Sequence, residues 1–229
     1  MNLDVPTSVG PGRLTISAAE NATAVLWLGH GAGGGIDAVD LAVLADRLPP
    51  LGITVVRYEQ PWRVAGKKVA ARPATLDIAW RETAPRVLEL AAGLPLVVGG
   101  RSAGARVACR TASEVGAVGV VCLAFPLHPP GSPEKSRLKE LLEPEVPVLV
   151  LQGTRDPFGG ADTVAAEVAS HRQVRVVPVP EADHSMRVAK TASVTAADVR
   201  DLIAATVAGF VSVCALDHEE GAADGAGQP

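Results

Sequence analysis

The sequence predicts an α/β protein, a doubly wound, mostly parallel sheet of about seven strands with helices on both faces. Three observations predict it. Short apolar runs alternate with longer segments of helical spacing. The runs are apolar at odd and even positions alike, as parallel strands covered on both faces require. The chain's 229 residues suffice for one core of this kind.

The elements follow in order. RLTIS (13–17) is a candidate edge strand, and AVLWL (24–28) opens the sheet proper. Leu41, Leu44, Ala45 and Leu48 then keep helical spacing until Pro49 and Pro50 stop the helix. ITVV (53–56) is the next strand, followed by a helix over about 75–92 that ends at Gly93. LPLVV (94–98) leads into GGRSAGAR (99–106), with a helix starting directly after Ser102. VGVVCLAF (118–125), VPVLVL (146–151) and VRVVPV (174–179) complete the strands, and helices are expected at 161–170 and 195–214. In the last helix Val199, Leu202, Ile203, Thr206 and Phe210 share a face, and Thr195 is the expected N-cap. Residues 126–145 break the rhythm. Their five prolines exclude a continuous helix, leaving a cap over the site or a surface connection, with a short helix within 134–142. One domain over 1–216 is expected, with the small, polar stretch 217–229 as a disordered tail.

Composition narrows the function. A net charge of −4 gives no general reason to expect nucleic acid or an anionic membrane as partner. No apolar run reaches membrane-span length, and MNLDVPTSVGPGRL lacks the basic start and apolar core of a signal peptide, so a cytoplasmic setting is expected. Cys109, Cys122 and Cys214 form no CxxC pair and read as buried, reduced thiols.

In sheets of this kind ligands bind where the strands end, so the residues after each apolar run carry the functional argument. After LPLVV, Ser102 lies in Gly-x-Ser-x-Gly, the pattern of a sharp strand-to-helix turn that exposes a nucleophile. After AVLWL comes GHGAGGG (29–35). It lacks the GK[ST] ending of a phosphate loop and matches a loop that supplies a backbone oxyanion donor. The donors expected are the N–H groups of Ala32 and Ala103, with His30 more suited to holding the loop than to acting as a base. After VPVLVL, Asp156 is placed to orient an imidazole, the alternative being an Asp-Pro turn. Asp162 is the other acid nearby, better placed to cap the next helix. After VRVVPV comes His184. Each of these loops is weak alone. Together they present nucleophile, acid and base in the order Ser102, Asp156, His184, which is the α/β-hydrolase order.

The chain resembles the dienelactone-hydrolase-like branch of the α/β-hydrolase superfamily. Within it, the likeness is to a small hydrolase-like family shared by bacterial proteins, a testis-expressed mammalian protein and the hydrolase-like domain of a chromatin-associated NSL-complex subunit. The residues that carry the likeness are LGHGAGG (28–34), VVRYEQPW (55–62), GGRSAGARVA (99–108), LAFPLHPPGSPEKSR (123–137), QGTRDPFG (152–159) and ADHS (182–185). They reach across most of 24–210, and the proline-rich segment is the most specific. The resemblance implies Ser102 as nucleophile, Asp156 as acid and His184 as base. Members commonly carry methionine and glycine where this chain has Ala103 and Ala105, which implies a roomier site floor here.

The function expected is hydrolysis of an ester, thioester or similar acyl bond in a small-molecule substrate, with no cofactor or metal. A catalytically weak or inactive scaffold is the alternative, and a lyase or transferase on the same frame is a third. Candidate substrate-lining residues are His30, Trp62, Arg63, Arg101 and His128. The stretch 57–72 carries five cations and one anion, which suits either an acidic substrate or a solvated loop. Trp62 and Trp80 suit either a pocket or the core. Oligomeric state is not encoded.

Overall fold

The computed structural model describes residues 1–225, with side chains through 220. Eight strands form one sheet: β1 (Asn2–Val5), β2 (Gly12–Ser17), β3 (Ala24–Gly29), β4 (Ile53–Glu59), β5 (Leu96–Arg101), β6 (Gly119–Leu123), β7 (Val148–Gly153) and β8 (Val174–Val179). Their order is β1-β2-β4-β3-β5-β6-β7-β8. From β4 onward the pairing is parallel, while β2 runs antiparallel to β4 and β1 antiparallel to β2. The strand absent from the sequence expectation is β1. It is four residues long, half polar and at the edge, so only its register with β2 defines it.

The helices are α1 (Val39–Arg47), α2 (Pro61–Val64), α3 (Pro73–Ala91), α4 (Ala103–Thr111), α5 (Leu138–Leu141), α6 (Ala161–Glu167) and α7 (Ala196–Gly225). Alternation along each strand builds two cores. Val25 and Trp27 of β3 face Trp80 of α3 and Val107 of α4, whereas Leu26 and Leu28 face Leu41 and Leu44 of α1 and Ile203 of α7. Trp27 and Trp80 stack at 3.6 Å between centroids, so Trp80 belongs to the core. Thr195 caps α7 as expected. Its hydroxyl accepts from the Asp198 N–H, and the Asp198 carboxylate accepts from the Thr195 N–H, so each satisfies an open donor of the other.

Three expectations need correcting. The buried stripe of α7 is Val199, Ile203, Val207, Val211 and Cys214, strict i,i+4 spacing apart from the last step, with Leu202 and Phe210 at its margin. The same helix continues to Gly225, through most of the segment expected to be disordered, because Ala and Glu prolong helical geometry; residues 226–229 lie outside the described ones. By length and composition, an 18-residue window within its Ala196–Glu220 portion is also apolar enough to cross a membrane, with a mean hydropathy of 1.8. Thr206, Gly209 and Ser212 interrupt its apolar residues and hide this from a reading by runs, and the buried stripe commits one face to the sheet.

Residues 126–145 form a connection from β6 to β7 rather than a long helix, with α5 its only helical turn. Arg137 ties it down twice, its backbone N–H donating to the Leu127 carbonyl and its guanidinium to the Pro126 carbonyl. Glu140 anchors it to α4 through Arg106 and Arg110. Burial alone would raise the Glu140 carboxyl, but the two guanidiniums outweigh it and hold the group below the usual carboxylate range.

Candidate active site

Strand order reverses at β3, which lies between β4 and β5, and the crevice at its carboxyl end is where an open sheet admits a ligand. Gly29 and Gly100 pair across β3 and β5 there. The chain then turns sharply into α4, with Ser102 at φ 52° and ψ −110°, a conformation that costs a non-glycine residue on the order of 1–3 kcal/mol. Packing enforces the turn. A Cβ at Gly100 would lie 2.5 Å from the Gly29 carbonyl oxygen, and one at Gly104 would lie 2.3 Å from the same atom. The glycines therefore let α4 sit on the end of β3 while the serine is pushed toward solvent.

Ser102 Oγ lies 3.0 Å from His184 Nε2, and His184 Nδ1 lies 2.7 Å from Asp156 Oδ2. The carboxylate only accepts, so Nδ1 carries the proton and Nε2 is left to accept from the serine hydroxyl. The Asp156 side chain is fully buried and held in place, Oδ1 accepting from the Phe158 N–H and Oδ2 from the buried Gln152 amide. Gln152 also donates to the Phe125 and Gly159 carbonyls, which fixes the β7 end against the β6 end. The Phe158 ring covers the imidazole at 4.2 Å. The alternative acid, Asp162, lies in the first turn of α6, behind the Gly160 N-cap.

The Ser102 N–H is taken by the Leu123 carbonyl. Among the described residues the N–H groups of Ala32 and Ala103 donate to no protein acceptor. Both residues line the cleft with Ser102. The 29–35 loop lies close to the serine, since a Cβ on Gly31 would come within 3.4 Å of Ser102 Cβ. Two uncommitted donors thus flank a serine held against an imidazole, an arrangement able to stabilise an oxyanion while a proton moves.

Arg101 and Asp40 complete the frame. Asp40 is fully buried in the first turn of α1; its Oδ1 accepts from the Leu41 N–H, and its Oδ2 lies 3.2 Å from Arg101 Nε, off hydrogen-bond alignment. Burial pushes the Asp40 carboxyl up, and the Arg101 charge opposes this. Arg101 Nη2 donates to the His184 carbonyl at 2.5 Å and reaches Ser185 Oγ at 3.3 Å. One side chain therefore links α1, β5 and the histidine loop.

The cleft over Ser102 measures about 680 Å³, within the range of small-molecule sites. Of the residues singled out in the sequence, Arg63 and Arg101 lie on its wall, whereas His30, Trp62 and His128 do not. His30 is buried. It donates from Nδ1 to the Gly31 carbonyl and accepts the Gln60 N–H at Nε2, so it joins its loop to the end of β4. Burial lowers its pKa and keeps it neutral. Trp62 packs edge-on against that ring in the core, because a large apolar surface gains more inside than over a wet cleft. The His128 ring turns back to the Pro129 carbonyl. Gln152, Asp40, Phe158, Arg106, Arg137 and Arg187 carry no signal in the sequence, because their places at the site depend on contacts between distant segments. Cys109 and Cys122 are buried and free, with sulfurs 3.5 Å apart. Among the described residues no group of three or more His, Cys, Asp or Glu side chains could hold a metal ion.

Fold, strand-end serine and acid–base pair define the class of α/β-hydrolase-like proteins. The chain belongs to the alpha/beta hydrolase domain family, whose sequence model matches residues 22–212. No curated protein matches it by sequence. Among solved structures it is similar to an alpha-beta serine hydrolase homologue from Coxiella burnetii, with a TM-score of 0.73 and 17% identity over 90% of this chain and 96% of that one. It is also similar to XC6422 from Xanthomonas campestris, described as an α/β serine hydrolase without a lid, with a TM-score of 0.68 and 21% identity over 92% and 94%. Est1E from Butyrivibrio proteoclasticus, also solved with ferulic acid bound, aligns with a TM-score of 0.66 and 11% identity over 92% and 99%. Likeness at such identity shows a shared fold.

Proposed function

We propose that the protein is a serine hydrolase of the esterase or thioesterase type. The observation that carries this reading is the continuous Asp156–His184–Ser102 hydrogen-bonded line, with contacts of 2.7 and 3.0 Å, opening on a cleft with two free backbone donors. In this reading His184 Nε2 takes the Ser102 proton as Oγ attacks the acyl carbonyl. The tetrahedral oxyanion is held by the N–H groups of Ala32 and Ala103. The imidazolium returns its proton to the departing alkoxide or thiolate. Water, deprotonated in turn by His184, then attacks the Ser102 ester and releases the acid. Asp156 holds the tautomer and offsets the imidazolium charge. All steps use this chain's groups and water.

Within the family, we place the chain in the dienelactone-hydrolase-like branch, on the strength of FPLHPPGSPEKSR (125–137), and we expect a small acyl substrate and a cytoplasmic setting. Hydrolysis of p-nitrophenyl butyrate tests the activity. Ser102→Ala should lower kcat by about a thousandfold or more, and Asp156→Asn should cost a comparable factor. Equal rates in wild type and Ser102→Ala would sink the proposal.

A further inference from the structure

The cleft over Ser102 is lined by five arginines, Arg63, Arg101, Arg106, Arg137 and Arg187, and a single acid, Asp37. The chain as a whole is acidic, at −4, so this concentration of cations is local. Two of the five serve the frame: Arg101 is paired with Asp40, and Arg106 grips Glu140 with two bonds. Among the described residues, Arg63, Arg137 and Arg187 have no carboxylate oxygen within 4.0 Å.

Arg137 is the informative one. It is half-buried beside Arg106, where burial and the neighbouring cation depress its pKa against the weaker opposing pull of the Glu140 carboxylate. Its Nη1 donates to the Pro126 carbonyl at 2.8 Å, which aims the guanidinium. A guanidinium has five N–H donors in a planar fork, and among the described residues this is the one bond Arg137's makes. A partly desolvated, oriented cation with no carboxylate in bonding range is unfavourable by itself. It becomes favourable when an oxyanion arrives, because guanidinium–carboxylate and guanidinium–phosphate pairs form two charge-assisted bonds. Arg63 and Arg187, exposed elsewhere on the cleft wall, add to the positive field.

We infer that the substrate bears, besides the acyl bond presented to Ser102, an anionic carboxylate or phosphate group that docks on Arg137. This rests on the hydrolase reading above. The test compares kcat/KM for three p-nitrophenyl esters of similar length: butyrate, the glutarate monoester, and 4-phosphonobutyrate. The expected result is a preference of about tenfold or more for an anionic ester, shrinking as salt rises toward ~0.5 M. The better of the two anionic esters names the group. Arg137→Gln should cut the anionic-to-neutral ratio about tenfold, and Arg137→Lys should keep part of it. Because Arg137 also holds the Pro126 carbonyl, Arg187→Gln is the companion variant. It is exposed, and about two- to threefold of the ratio should be lost.

A neutral ester hydrolysed as well as the anionic ones, in protein whose Ser102 takes a fluorophosphonate label, would overturn the inference and leave the hydrolase reading intact. No turnover of any ester and no label would mean that the hydrolase reading has failed. Titration with glutarate and with inorganic phosphate then decides the anion site: Arg137-dependent binding sustains it, and no binding ends it.

Discussion

Adding a single methyl group at Gly104 probes the contact that creates the turn at Ser102. A Cβ there would lie 2.3 Å from the Gly29 carbonyl oxygen, 2.5 Å from the Gly29 carbonyl carbon and 3.0 Å from the His30 carbonyl oxygen. All three are backbone atoms at the end of a central strand, and none can rotate away. To regain an ordinary contact distance, α4 must recede by roughly 1 Å, an overpacking strain of about 3 kcal/mol. The helix itself favours Ala over Gly by about 1 kcal/mol, so the net loss is about 2 kcal/mol. For a chain of this size that lowers Tm by about 4–8 °C. The same displacement carries the Ala103 N–H away from the proposed oxyanion position and, on the hydrolase proposal, should slow ester hydrolysis about a hundredfold. Thermal melts and p-nitrophenyl butyrate kinetics on Gly104→Ala provide the assay. Gly33→Ala and Gly34→Ala are the controls, since a Cβ at either meets nothing within 4 Å. A Gly104→Ala protein with wild-type Tm and rate would refute the seating of α4 on β3.

Two further predictions use the same site. Ser102 has φ 52°, so Ser102→Gly should relieve strain that Ser102→Ala keeps; after glycine's entropy cost, about 1 kcal/mol remains, seen as a Tm about 2–4 °C higher for the glycine variant. Equal melting points would mean that the turn is unstrained. Burial lowers the folded-state pKa of His30 below its ordinary 6.5. Between these two values the unfolded chain binds the extra proton, so stability rises with pH through that window and is lost as pH falls through it. The stability difference between wild type and His30→Asn should therefore shrink on acidification from about pH 7.5, and a difference independent of pH would remove His30 as the cause.

The parts of the site that were legible in sequence are those whose chemistry is local. Gly100 and Gly104 flank Ser102 within one turn, and Asp156 and His184 each follow a strand made obvious by its apolar run. Direction of burial was not legible. His30 and Trp62 adjoin the right motifs, yet both point inward, because a loop side chain has no periodicity from which to read its facing. Partners distant in sequence were also hidden. Nothing near Asp40 announces Arg101, and Gln152 reads as the end of a strand until the Phe125 and Gly159 carbonyls close around its amide. Strand β1 and the extension of α7 were missed for a third reason. One is short and held by its partner's register, and the other continues through Ala and Glu residues whose composition alone suggests a solvated tail.

Fluorophosphonate labelling followed by peptide mass mapping probes the serine hydrolase site as a whole, because it requires a nucleophile, a working base and an oxyanion site together. One adduct per chain is expected, on Ser102, lost in Ser102→Ala and slowed by at least about a hundredfold in His184→Ala. Folded protein that takes no label, or takes it at another residue while Ser102 stays free, would contradict the hydrolase proposal.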